Sequence, residues 1–422
     1  MIRTDFEKLG ETLWSARLAN GLTVKVVPKR GFTRCLAYFA TDFGAIHTDF
    51  VLDGQEYHVP AGVAHFLEHK LFELPDRDVT AEFAALGAHV NAFTSYDLTA
   101  YYFSCTANFG QSLALLLEFV STPWFPEESV QREMGIIDQE IAMNADDPGT
   151  QEFEALIGSM YRTHPVRVPI LGTRESIREI TPGILHLCHR AFYTPANMVL
   201  TVVGDVDPEQ VAAIAEGVLG KEYQAPAQKL RNWPESMTGG PDVRLRQEVS
   251  AATFQLGFPC EPAGRGADAA RLDVLGYLAA EMLLGESTQL YLQLYEDNTV
   301  GTGFGGSFET IDGCAMLTCG GDSEHPEAVR QALLDRAAEI AENGIDETEF
   351  LRVKRGAIGR RIRDLDSFDA LCYRICAYSF LDFEYLNFPD IYAGITAEEV
   401  RAFIARVVTA ARCTMAHTLP MQ

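Results

Sequence analysis

The stretch AGVAHFLEHKLFE, residues 61–73, sets His65 and His69 four apart with Glu68 just before the second. On a helix, residues i and i+4 project from successive turns of one face, about 6 Å apart, so two imidazoles there can reach one tetrahedral ion. Glu68 lies beside them on the same face. A carboxylate next to such an ion but not bound to it is what metal-assisted hydrolysis needs as its general base. A lone histidine in an apolar helix would read as a packed or capping side chain. Three polar residues at this spacing read as a site.

A site of this kind takes a third protein ligand and keeps one position open for water. The segment PEESVQREMGIIDQEIAMN, beginning at Pro126, offers Glu133 and Glu140 seven residues apart on one helical face. They stand about 10 Å apart along the axis, so only one of them can reach the ion. Spacing alone does not choose.

The elements that must position these residues are legible as patterns. LANGLTVKVVP reads as a hairpin turning at Asn20-Gly21, and TRCLAYFATDFGAI as a second strand-rich stretch. Pro60 suits a first helical turn, which predicts a helix over 60–72 that LPDRD stops. VTAEFAALG reads as a helix ending on Gly87, and HVNAFTSYDLTAYYFSC as a long strand or hairpin. Two more helices, the strand NMVLTVVGDVD and a further helix complete the first half.

Residues 221–242 are rich in Pro, Gly and polar side chains and read as an interdomain connection, after which the order repeats. AATFQLGFPC stands where CLAYFATDFG stood, and GSFETIDGCAMLTCGG where HVNAF…YYFSC stood. The expected organisation is an N-terminal domain over 1–222, a linker over 223–242 and a C-terminal domain over 243–422. The expected class is α+β, each domain a largely antiparallel sheet with helices packed on one face. The copies differ in chemistry: eight of ten histidines precede residue 190, and the echo of REMGIIDQE reads RVKRGAIGRR. Metal or acid–base chemistry therefore belongs to the first copy.

Composition bounds the rest. With 47% hydrophobic and 22% charged residues the chain is an ordinary globular one, and a formal net charge of −25 argues against nucleic acid as partner. The N-terminus shows no apolar leader and no apolar run approaches a bilayer's thickness, so the expectation is a cytoplasmic protein without membrane association. Nine scattered cysteines suit a reducing compartment, and Cys372 and Cys376 in LCYRIC read as small buried hydrophobes. Gly301, Gly303 and Gly306 spell GxGxxG but follow a helix and enter a strand, the reverse of a dinucleotide fingerprint. HLCH at 186–189 lacks a fourth ligand, and the basic run VKRGAIGRRIRD reads as a helix surface.

GVAHFLEHKLFE is an inverted zincin motif. Together with GAHVNAFTSYDLTAYYF, REMGIIDQE and FYTPANMVLTVVGDVD it resembles the pitrilysin/insulinase metallopeptidases, relatives of mitochondrial processing peptidase, over nearly the whole chain. The resemblance implies Zn2+ held by His65, His69 and Glu140, with Glu133 supporting the site and Glu68 acting as general base on a zinc-bound water. It implies a peptide substrate added as a strand along Asn91, Ala92, Phe93 and Thr94, with Phe93 lining a side-chain pocket. It also implies a clamshell arrangement and a homodimer, or a heterodimer with a homologous subunit. Many relatives carry an Arg and a Tyr seven residues apart in the second half, where this chain has Tyr295 and Thr302. That departure keeps a second expectation in view, a non-catalytic or partner-dependent subunit that binds polypeptide.

Overall fold

The computed structural model describes residues 1–421, which divide into two compact units. The first is built on seven strands: β1 (Ile2–Phe6), β2 (Glu11–Arg17), β3 (Thr23–Pro28), β4 (Cys35–Thr41), β5 (Ala88–Thr94), β6 (Thr99–Cys105) and β7 (Met198–Gly204). Their order is β1-β2-β3-β7-β4-β6-β5, antiparallel throughout except for β3 beside β7. The β2–β3 hairpin turns where expected: Gly21 takes φ +90° and the Asn20 side chain accepts from Leu22 N at 3.1 Å. β4 and β7 are buried along their whole length, as their uninterrupted apolar sequences CLAYFAT and MVLTVVG require. The other end of the sheet is β5, so the strand carrying Asn91–Thr94 has one unpaired edge.

Helices α1 (Val63–Leu71) and α2 (Glu127–Ala145) belong to the layer on one face of this sheet. Phe66, Phe83, Phe103, Phe119, Leu116 and Ile137, all fully buried, form the core of that layer. Burying each such side chain stabilises by roughly 1.5–3 kcal/mol.

The second unit repeats the plan with β8 (Val243–Gln247), β9 (Thr253–Cys260), β10 (Gly305–Ile311), β11 (Cys314–Asp322) and β12 (Thr414–Pro420) in the order β8-β12-β9-β11-β10. This matches β3-β7-β4-β6-β5 strand for strand, including the parallel first pair. The repeat read from the sequence is thus one of topology. Helix α3 (Pro148–Met160) covers one face of this sheet, while α4 (Ala267–Leu284) and α5 (Glu347–Arg363) belong to the other. Gly257 in β9 makes room for α3, since a Cβ there would sit 2.2 Å from Met160 Sδ.

The α+β class holds, but the linear division into 1–222 and 243–422 is corrected. Unit 1 comprises Met1–Ile141, Pro169–Arg231 and Ile362–Asn387, and unit 2 comprises Ala142–Val168, Asn232–Arg361 and the residues from Phe388 on. Each half lends the other a helix for the second face of its sheet. In unit 2 the lent helix is α3, whose buried Glu152 accepts from Thr418 N at 3.0 Å and Thr253 Oγ1 at 3.2 Å. In unit 1 it is α6 (Phe368–Phe380), with Cys376 Sγ 3.2 Å from Thr201 Oγ1, followed by Glu384, which pairs with the buried Lys25 at 2.8 Å. Apolar alternation marks which face of a strand is buried but not which segment covers it, so this exchange is not readable from the pattern.

The connection at 223–242 is not a free linker. Gln228–Lys229 pairs with Phe50 and Val51 in unit 1, and Glu235 accepts from Arg162 N at 2.9 Å and His164 N at 2.7 Å in unit 2. Cys372 and Cys376 are buried in α6 as expected, and the glycines 301–306 bridge the helix Gln289–Glu296 to β10. Among the described residues no helix is long and apolar enough to cross a membrane.

The exchange predicts that a fragment ending at Arg231 will not fold as a unit. Without α6 it leaves Lys25 unpaired and one sheet face bare, so thermal melts followed by circular dichroism should show no cooperative transition. Residues 1–231 supplied together with 232–422 should recover one.

Candidate metal centre

The helix that carries the two histidines begins later than its sequence suggests, at Val63 and not at Pro60, because Gly62 adopts φ +91°. Only glycine suits that position, where a Cβ would also lie 2.4 Å from the carbonyl oxygen of Leu171. From there Val63, Ala64, Phe66, Leu67 and Leu71 turn into the core. At its other end the fully buried Lys70 bonds to both Glu73 and Ser129, and Arg132 pairs with Glu73 at 3.1 Å. That clamp joins the end of α1 to the start of α2 and sets the distance between the two helices.

Across that gap three groups converge. Nε2 of His65 and Nε2 of His69 each lie 3.7 Å from the same oxygen, Oε2 of Glu140. One ligand atom from each of the three residues falls within 4.8 Å of the others, the only such group among the described residues. A tetrahedral ion with bonds of 2.0–2.2 Å sets its ligand atoms about 3.3–3.6 Å apart. The residues present therefore fit a divalent ion, two neutral nitrogens and one carboxylate being a zinc-type donor set.

Glu133, seven residues before Glu140 on α2, accepts a hydrogen bond from Nδ1 of His69 at 2.9 Å. With its proton held on Nδ1, His69 turns a bare Nε2 toward Glu140. The structure thus separates the two glutamates that spacing left equivalent. Nδ1 of His65 is buried without a partner, so the polar contact of that ring is made through Nε2.

The electrostatics of the two rings differ. Burial, reinforced by the neighbouring His69, pushes His65 down to about 3, which keeps it neutral and ready to ligate. For His69 burial works toward a lower value, but Glu133, Glu68 and Glu140 outweigh it and the net shift is upward. Glu68 is raised chiefly by burial, with the Thr94 hydrogen bond and His69 opposing and Glu140 adding to the rise.

The strand expected to meet substrate stands beside α1. Thr94 does more than its backbone position implied: its hydroxyl donates to Oε2 of Glu68 at 2.7 Å. The Asn91 side chain accepts from its own neighbour Ala92 N at 2.8 Å. Phe93 points to the sheet face away from α1 and packs among Tyr38, Tyr102 and Tyr373, the last on α6 at 5.9 Å between centroids. The HLCH segment gathers no ligands among the described residues, for His189 Nε2 meets the Val120 carbonyl at 3.0 Å and the His186 ring packs at a tilt against Phe125. Tyr295 is exposed near the end of its helix, and Thr302 lies in the following loop.

Sequence reasoning missed the Thr94 hydroxyl and the Lys70–Glu73–Ser129 clamp. A lysine inside an otherwise apolar helix face was the available signal for the second. The other copy also holds an informative substitution. On α4, Tyr277 and Glu281 are spaced like His65 and His69, and on α5 Arg360 stands where the echo of REMGIIDQE puts Glu140. Arg360 donates to the Tyr277 hydroxyl at 3.0 Å and pairs with Glu281 at 2.5 Å. A guanidinium carried by the chain itself takes the cation's role there.

Known proteins resemble this chain in sequence and fold. Residues 54–174 match the family described as Insulinase (Peptidase family M16), and residues 179–357 the Peptidase M16 inactive domain. The chain is 35% identical to an uncharacterized zinc protease of Bacillus subtilis, YmfH, over 99% of its own length and 98% of the relative's. It superposes on the crystal structure of an M16-like peptidase from Alicyclobacillus acidocaldarius with a TM-score of 0.93 at 32% identity, covering 97% and 99% of the two chains. A protease from Helicobacter pylori shares the fold at a TM-score of 0.83 and 18% identity, covering 97% and 99%.

Zinc titrated against a competing chelator should bind once per chain. Its affinity should climb as pH rises above 6.5, the ordinary histidine value, because a ring whose pKa is raised stays protonated there and must release its proton to bind. In Glu133→Gln the climb should move to lower pH.

Proposed function

The chain belongs to the insulinase family, peptidase family M16, and on that footing we propose that it is a zinc-dependent endopeptidase acting on peptides and short unfolded polypeptide segments. The observation that carries this reading is the convergence of His65, His69 and Glu140 on one point with Glu68 alongside. Zinc bound there supplies a Lewis acid that lowers the pKa of a water and polarises the scissile carbonyl.

The chain's own residues do the rest. His65 and His69 present neutral nitrogens, Glu140 adds one negative charge, and Glu133 holds His69 in the ligating tautomer. Glu68, its Oε2 engaged by Thr94, takes the water's proton at Oε1 and returns it to the departing amine nitrogen. Its raised pKa suits a group that must act first as base and then as acid. The open edge of β5 receives the substrate as an added strand along Asn91–Thr94, which lines up a carbonyl for attack. Nine buried, free cysteines fit a reducing, cytoplasmic setting.

A second reading has one observation in its favour, Tyr295 and Thr302 where many relatives carry an Arg and a Tyr. In that reading activity depends on a homologous partner subunit, or the chain binds polypeptide without cleaving it. A heterodimer with a homologous subunit would supply the groups this chain lacks, whereas a homodimer would bring the same Tyr295 and Thr302 twice.

The two readings part in one experiment. Zinc-loaded protein should cleave members of a broad peptide library, while Glu68→Gln keeps its zinc and loses about 10²- to 10⁴-fold in turnover. A wild type that holds no metal and cleaves nothing hands the case to the binding subunit. Native mass spectrometry of the complex purified from its source should show a dimer, and a fully active monomer counts against any partner.

A further inference from the structure

Glu68 is a partly buried carboxylate with a single hydrogen-bond donor among the described residues, the hydroxyl of Thr94 at 2.7 Å. The terminal torsion of a glutamate is broad and roughly two-fold, so a carboxylate without a fixed donor has no unique orientation. Thr94 is itself held. It is the last residue of β5, directly opposite Thr99 in β6, and Thr99 is fully buried with its hydroxyl 3.4 Å from that of Thr94 and donating to the Phe43 carbonyl at 2.9 Å.

Resting on the reading of Glu68 as general base, we propose that Thr94 is a positioning residue that fixes which oxygen of Glu68 receives the proton and ties the base to the strand along which the peptide is added. With Oε2 engaged by the hydroxyl, Oε1 alone faces the reacting water. Because donor and substrate-pairing backbone lie on one short strand, an added peptide strand steadies the residue that aims the base. Valine at this position matches threonine in shape and removes only the donor, whereas serine keeps it.

The test compares wild type, Thr94→Val, Thr94→Ser and Glu68→Gln as zinc-loaded, full-length proteins on one cleaved peptide, with zinc affinity measured by chelator competition. A crystal structure of zinc-free Thr94→Val provides a readout that needs no activity. Thr94→Val is expected to lose about 10- to 100-fold in kcat. Its KM and zinc affinity should stay within about two-fold of wild type, with Thr94→Ser close to wild type throughout and the Glu68 carboxylate turned in the valine structure. The proposal is overturned by unchanged kcat in Thr94→Val, by a rise in KM with kcat intact, by a serine variant as poor as the valine one, or by a valine structure in which Glu68 keeps its orientation. A wild type without peptidase activity, or a Glu68→Gln as active as wild type, removes the underlying function instead, and the crystallographic comparison still decides whether Thr94 orients Glu68.

Discussion

Everything in this molecule's chemistry depends on holding three atoms from two helices at the spacing of one small ion. Two of them come cheaply, since a single turn of α1 sets His65 and His69 side by side whatever else the protein does. The third, on Glu140, is more than seventy residues away in the chain, and its place is fixed only by how α2 lies against α1. The buried Lys70 with Glu73 and Ser129 sets that relation at one end, and the His69–Glu133 hydrogen bond sets it again beside the site. Lys70 is fully buried, so losing Glu73 would leave its charge without a counter-ion, and the clamp resists the small shifts that would separate the three groups.

The same short distances explain why the two rings have opposite tendencies. His65 is buried without a carboxylate on its second nitrogen and is held neutral, while His69 sits among Glu133, Glu68 and Glu140 and favours its proton. A cation at the centre resolves the crowding of negative charge that the three glutamates create. In the other copy the crowding never arises, since Arg360 neutralises Glu281 from within the chain. The shared plan thus gathers a zinc-type donor set in one unit and a guanidinium-bearing ion pair in the other.

How much of this the amino acids disclose depends on the range of the interaction. Helical periodicity is local, so His65, Glu68 and His69 were legible as a site from thirteen residues, and several strands were legible from alternation and turn signals such as Asn20-Gly21, while their order in the sheets came only from the structure. The choice between Glu133 and Glu140 was not, because it turns on the angle between two helices, which no local pattern encodes; resemblance supplied the answer that the hydrogen bond to His69 now explains. The late start of α1 was hidden in Gly62, whose positive φ outweighs the helical preference of Pro60. The domain boundary was misplaced for the opposite reason, since a polar, proline-rich stretch looks alike whether it floats or is pinned by backbone pairing and by Glu235.

The lent helices also dictate a timetable. A ribosome delivers all seven strands of the first sheet by Gly204, yet the segment that covers its second face begins only at Phe368, so that sheet waits on a distant stretch of chain to be sealed. Contacts so distant in the chain carry a high closure entropy and are slow to form. The nascent chain therefore carries an uncovered apolar sheet face until α6 has emerged.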